Sequence, residues 1–425
     1  MSMAGSFMGG AKDRLLPASV PFSFFLAATV FHVLAWGVLF VGADDLAGFS
    51  GGTGPVLSAI HLLTLGVLAL TAMGASYQLL PVVTRRPLAR IWPARLSFWI
   101  MIPGIVVLAY GMGIYDQTAL WIGAGLVTAG LLVFAVLTAD NLGRAGSLPV
   151  IAAHGWAALA ALVGFAGLGV LLIVDFDLGV LADRSGMAGL HMVLAAFGFM
   201  GLLVLGLSQV LIPMFVLCPG LPARVGWAQL GLAIGALCLF AAGVLWGVQA
   251  LILAAFLPAG GAVFAHFHLM RTALRTSMRK RLGLSFLMIR MSWRFLGLGL
   301  LIGLAVALNW PLPNAPALFG LVVLVGWLLT FLTGILQRIM PFLASMHASG
   351  LPGGPPLLSS LTTEAPLKIH AICHFAALAM IAAGIVFDVT LGIRIGAAIG
   401  TIGALFFAGF ALNVILRLNA LSRAR

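Results

Sequence analysis

Residues 58–81 read SAIHLLTLGVLALTAMGASYQLLP. These twenty-four residues contain no Asp, Glu, Lys or Arg, and one histidine, His61. A helix of about 20 apolar residues crosses a hydrocarbon core of about 30 Å. The stretch therefore predicts a membrane-spanning helix closed near its cytoplasmic edge by Pro81. It is a continuous run, not the short alternating segments of a barrel strand.

The same kind of run recurs along the chain. Of its 425 residues, 62% are hydrophobic and 8% charged, whereas soluble domains carry about 25% charged residues. The predicted spans are 21–42, 56–80, 94–114, 118–139, 149–174, 187–217, 226–247, 249–276, 291–309, 316–339, 367–387 and 392–416. The apolar run from 226 to 276 is too long for one crossing and is divided near Gly247. Pro258 then falls inside the eighth span, where it is expected to kink the helix. The expected fold is an all-α polytopic membrane protein of twelve helices. One membrane domain, 21–417, lies between a cytoplasmic segment 1–20 and a cytoplasmic tail 418–425. No signal-peptide cleavage site is evident before the first span, so that span is expected to be retained.

Charge orients the bundle. With an inside N-terminus, 20 of the 22 Lys and Arg residues fall on the inside, and only Arg184 and Arg394 lie outside. Asp44, Asp45, Asp116, Asp175, Asp177, Asp183 and Asp388 are also outside. This basic bias is the positive-inside pattern of a bacterial inner membrane protein, with both ends cytoplasmic. The net charge of +12 sits in short loops, which excludes a nucleic-acid-binding surface and leaves lipid as the surrounding partner. Cys218, Cys238 and Cys373 form neither a disulfide framework nor a zinc pattern. The stretch from His347 to Pro366 reads as a flexible connection.

Three spans end alike: GASYQLLP from Gly74 to Pro81, GLSQVLIP from Gly206 to Pro213, and GILQRIMP from Gly334 to Pro341. The prolines are 132 and 128 residues apart, and Gly66, Gly198 and Gly326 each precede their proline by fifteen. Three four-helix pseudo-repeats follow, about 21–140, 149–276 and 291–417. Glycines at fixed spacing let a neighbouring helix approach closely.

Eight of the nine histidines lie in or beside predicted spans. Burying an imidazole in lipid is costly unless it is bonded or ligated. His61 and His191 lie near the outer ends of equivalent helices, with His32 nearer mid-membrane. Imidazole is an axial ligand for haem iron, and Arg184 and Arg394 are the outer cations available to haem propionates. His154, His266, His268, His370 and His374 form an inner group. His370 and His374 share a helix face and suit copper or another second metal, or a further haem. Interhelical hydrogen bonding is the alternative for each. Tyr77, Gln78, Gln209 and Gln337 suit a polar inner vestibule or a quinone headgroup, with interhelical packing as the alternative.

These features resemble the main subunit of the haem–copper oxidase superfamily, and more closely its divergent NnrS-like and nitric-oxide-reductase-like members. The resemblance rests on His61 with Gly74, Gln78 and Pro81, on His191 with Gly206, Pro213, Met214 and Phe215, and on GWLLTFLTGILQRIMPFL from Gly326 to Leu343. It implies haem b ligated by His61, a metal at His191, and Arg394 near the propionates. It also implies a membrane or periplasmic redox partner and a role in electron transfer or nitric-oxide-related metabolism. The family's tenth helix carries two histidines and its seventh an adjacent pair; this chain has neither. Oxygen reduction is therefore not inherited from the fold. A cofactor-poor assembly subunit and a metal or small-solute transporter remain the alternatives. No phosphate-binding glycine loop or HExxH motif is present.

Overall fold

The computed structural model describes residues 14–279, 281–348 and 355–423, and among them every regular element is helical. Twelve helices are long and apolar enough to cross a membrane. They are α1 Ser19–Val41, α2 Pro55–Thr84, α3 Trp92–Ile114, α4 Gln117–Gly143, α5 Pro149–Leu178 and α6 Arg184–Val216, followed by α7 Ala223–Leu245, α8 Gln249–Arg275, α9 Gly283–Ala307, α10 Ala315–His347, α11 Glu364–Phe387 and α12 Thr390–Leu421. The chain is an integral, multi-pass membrane protein.

Several ends differ from the sequence reading. The chain breaks between α7 and α8 at Gly247, as expected, with a left-handed φ of 64°. Pro258 lies within α8 without ending it. The helix of α9 opens at Gly283 instead of 291. That brings Arg290 into the helix beside Arg294; long basic side chains tolerate such a position by reaching along the helix to the interface. The final helix continues to Arg423, so most of the expected tail is helical. The connection expected after His347 falls partly outside the described residues, as does most of segment 1–20.

Neighbouring helices pack as three arcs: α11–α12–α1–α2, α3–α4–α5–α6 and α7–α8–α9–α10. Each arc ends in one of the repeat-bearing helices, and these three are the most enclosed. The apolar windows of α2, α6 and α10 are 78%, 61% and 83% buried, against 17–44% for the other nine. They form the centre of the bundle, while the others share their surface with lipid.

All three central helices widen into a π-helical stretch of eight residues, Leu62–Ala69, Leu194–Gly201 and Val322–Leu329. Each stretch opens nineteen residues before its repeat proline. The stretch in α10 packs against both of the others. Such widened turns are rare and occur often at functional sites.

The prolines do not close their helices. Pro81, Pro213 and Pro341 lie inside them. In α2 and α6 the stop comes four residues later, at the left-handed residues Arg85 and Leu217, whose N–H groups donate to the carbonyls of Pro81 and Pro213. The lost proline N–H opens a turn, but the next carbonyl still serves as a C-cap acceptor.

The repeat glycines seat the first helix of each unit against its second. A Cβ on Gly66 would meet Phe31 Cγ at 2.6 Å, and one on Gly74 would meet Phe24 Cβ at 2.7 Å. On α6, Gly198 meets Ala161 Cβ at 2.7 Å and Gly206 meets His154 Cβ at 2.6 Å. On α10, Gly326 faces Phe295 and Gly334 faces Met288 and Ile289.

Candidate functional site

His61 is the last residue before the π stretch of α2, and His191 lies three residues before that of α6. Equivalent helices therefore carry both residues to the same level. Their rings face one another at 6.4 Å between centroids, with 23° between planes. His61 Nδ1–H donates to the Leu57 carbonyl at 3.0 Å. His191 Nδ1–H donates across to the Phe165 carbonyl of α5 at 2.8 Å. A carbonyl bonds only a ring nitrogen that carries hydrogen, so each neutral ring keeps its lone pair on Nε2.

Both rings are deeply enclosed by protein, yet each retains partial surface exposure. On α2, Leu57, Ile60, His61 and Thr64 share the partial exposure at helical spacing, in a span that is otherwise mostly buried. On α6, Leu190 is the one buried residue of Arg184–Val193. The corresponding end of α10 presents Phe319, whose ring lies 6.4 Å from that of Phe197. Gly169 leaves room beside His191, because a Cβ there would lie 3.1 Å from its Cε1.

The two outer arginines are paired with acids. Arg184 bonds the Asp175 carboxylate and stacks over Phe176, 3.7 Å from the ring centroid. Arg394 bonds Asp44 at 2.6 Å. The sequence signals Arg184 and Arg394 as outer cations; their carboxylate partners lie in the last turn of α5 and in the short helix Ala43–Leu46, a pairing that apolar periodicity does not specify.

His32 does not join the outer pair. The sequence reading grouped it there by height along α1, but height does not fix the direction in which a helix points its side chains. Its ring lies 6.0 Å from that of His370, and His370 lies 5.6 Å from His374. Trp36 Nε1–H donates to His32 Nε2 at 3.0 Å. His370 Nδ1–H donates to the Gly403 carbonyl at 3.0 Å. Thr330 already donates to the Val325 carbonyl, so its Oγ1 accepts from His374 Nε2–H at 2.6 Å. The Thr330 link joins this cluster to the central helix that lacks an outer histidine.

His154 and His266 form a third group. His154 Nδ1–H donates to Val150 at 2.8 Å. Gln209 Nε2–H donates to Gln229 Oε1 at 3.0 Å, and Gln229 Nε2 lies 3.2 Å from His266 Nδ1. Among the described residues, the buried Nε2 atoms of His154, His266 and His370 have no hydrogen-bond partner. His268 is exposed and stands apart from His266. No group of three or more His, Cys, Asp or Glu suited to a metal ion occurs among the described residues.

The remaining polar residues diverge. Tyr77 bonds Ser97 of α3 at 2.9 Å, Gln209 reaches α7, and Gln337 donates to Met288 Sδ of α9 at 3.1 Å. Both amide atoms of Gln78 are buried without a partner among the described residues. Sequence reading missed Trp36, Thr330 and Gln229. Trp36 had a signal in its four-residue spacing from His32; Thr330 and Gln229 had none, since their partners lie on other helices.

No family model matches the chain, and no curated protein matches it.

Proposed function

We propose that this membrane protein binds haem b, with His61 and His191 as axial ligands, and that it acts in electron transfer or in nitric-oxide-related metabolism. The observation carrying the proposal is the facing pair of imidazoles, each oriented by an Nδ1–H bond to a carbonyl. That bond fixes the tautomer of a ligating histidine and raises the basicity of its other nitrogen. The two rings stand 6.4 Å apart between centroids, near enough for one bound group to contact both. Both rings are also partly exposed instead of being packed on all sides. These observations fit the group that the resemblance to the haem–copper oxidase superfamily implies.

Bound haem would supply one-electron exchange. The chain would hold it through the neutral imidazoles of His61 and His191. Arg184 and Arg394 stand at the same end of the bundle, where each could exchange its aspartate for a propionate.

The test is an optical spectrum of protein purified from haem-replete cells, oxidised and reduced. A low-spin b-type spectrum is expected in the parent chain. It should be lost in His61→Ala and in His191→Ala, with the fold retained by size-exclusion chromatography. A colourless parent protein, or an unchanged spectrum in both variants, refutes the assignment.

A further inference from the structure

The lipid-facing side of α8 and α9 carries four arginines without a carboxylate. Arg271 and Arg275 stand one turn apart near the end of α8, Arg290 and Arg294 one turn apart in the first half of α9, and all four are exposed. Side chains at i and i+4 share a helix face. The helices are sequential neighbours in contact, joined by a short connection and therefore antiparallel. A Cβ on Gly297 would meet the Phe267 ring at 3.8 Å. The His266 ring lies 6.0 Å from that of Trp293, and a Cβ on Gly303 would lie 3.5 Å from the Phe256 ring. Arg271 thus comes within a turn of the level of Arg290, with Arg275 nearer the basic end and Arg294 deeper, so the four line one end of a single helix pair. The ion pairs found among the described residues use other groups: Arg144, Arg184, Lys368 and Arg394. Arg290 bonds the Phe286 carbonyl and Arg294 bonds Met291 Sδ, which leaves most of their N–H donors uncommitted, since a guanidinium carries five.

Depth makes the arrangement informative. Beyond Arg294, α9 runs only to Ala307, roughly 20 Å of helix against a hydrocarbon core of about 30 Å. Arg294 therefore starts within the apolar depth and must reach outward to polar groups. Like charges gathered at this end are stabilised by an anion that belongs there. The adjoining surface is apolar: Phe264 is 74% exposed, and Leu298 and Leu301 are also exposed.

We infer that this face of α8 and α9 binds an anionic phospholipid, its phosphate held by the four arginines and its acyl chains lying along Phe264, Leu298 and Leu301. Charge complementarity selects the headgroup, and the apolar flank selects a lipid over a soluble phosphate. Basic clefts between membrane helices bind such headgroups.

The full chain in phosphatidylcholine nanodiscs, titrated with labelled phosphatidylglycerol, tests the inference. Saturable binding is expected. At about 1 kcal/mol per arginine, the R271Q/R294Q variant should bind about thirtyfold more weakly, and R275Q/R290Q should lose a similar factor. The exposed pair Arg90 and Arg95, on another part of the basic end, supplies the control: R90Q/R95Q should stay within about twofold of the parent. Should R271Q/R294Q fail to fold, R275Q/R290Q carries the same comparison. Equal losses in the control and test pairs, non-saturating binding, or equally tight binding of labelled phosphatidylcholine would overturn it.

Discussion

At the residue scale, the histidines divide by what surrounds each Nε2. Those of His61 and His191 belong to partly exposed rings, whereas that of His154 is buried and has no partner among the described residues. The reading of haem ligation therefore makes different predictions for the two kinds of site. Gly169→Ala would press on the edge of His191, whose Cε1 stands 3.1 Å from the added carbon. It should lower haem retention and shift the low-spin bands while leaving the bundle folded, as read by spectroscopy and size-exclusion chromatography. An unchanged spectrum would show that His191 orientation does not matter to the centre. His154→Leu should keep the spectrum. The change gives up one local bond to Val150 and removes a buried nitrogen that has no partner among the described residues; these oppose each other, so its melting temperature in detergent should hold. Thr330→Val differs again, because it leaves the buried His374 N–H without its acceptor. A cost of about 1–3 kcal/mol is expected, measured by thermal unfolding, and an unaltered melting temperature would exclude a structural role for that bond.

At the scale of single helices, the glycine register was legible in the sequence and the π stretches were not. Gly66, Gly198 and Gly326 recur at fixed spacing because a side chain from the preceding or neighbouring helix occupies the place of each missing Cβ. The widened turns leave no such trace. The central helices are apolar on every side, so hydrophobic periodicity cannot distinguish one helical pitch from another. The proline reading failed for a related reason: a residue that lacks one hydrogen bond does not by itself say where the remaining bonds stop. Close packing gives this level its own test. Gly66→Ala sets a carbon against Phe31 Cβ and Cγ, atoms too near the backbone to swing aside. Overpacking of this kind costs about 1–3 kcal/mol. Gly125→Ala, in α4 with nothing within 4 Å, should instead stabilise by up to about 1 kcal/mol, since alanine orders more cheaply than glycine in a helix. Opposite shifts in melting temperature are expected, and shifts of the same sign would separate the repeat glycines from helix contact.

For the whole molecule, the count of spans was legible because lipid imposes length and composition together. The grouping of side chains was not. Sequence places His32, His370 and His374 on helices at opposite ends of the chain, and only the arc α11–α12–α1–α2 brings those helices together. Twelve crossings also place the start of α1 and the end of α12 at one end of the bundle, where Leu15 packs against Val82 of α2 and Met346 of α10. The orientation of that bundle rests on charge alone, and it is open to a direct measurement. After replacement of Cys218, Cys238 and Cys373, a single cysteine is placed at Asp388, between α11 and α12, or at Arg281, between α8 and α9. The positive-inside rule puts the basic loop in the cytoplasm. A membrane-impermeant maleimide applied to intact cells should label the Asp388→Cys protein at once and the Arg281→Cys protein only after permeabilisation. The reverse pattern would invert the bundle, moving the His61–His191 pair to the cytoplasmic side. Labelling of both sites in intact cells would contradict the span count between them, because α9, α10 and α11 are three crossings and must carry the two loops to opposite faces.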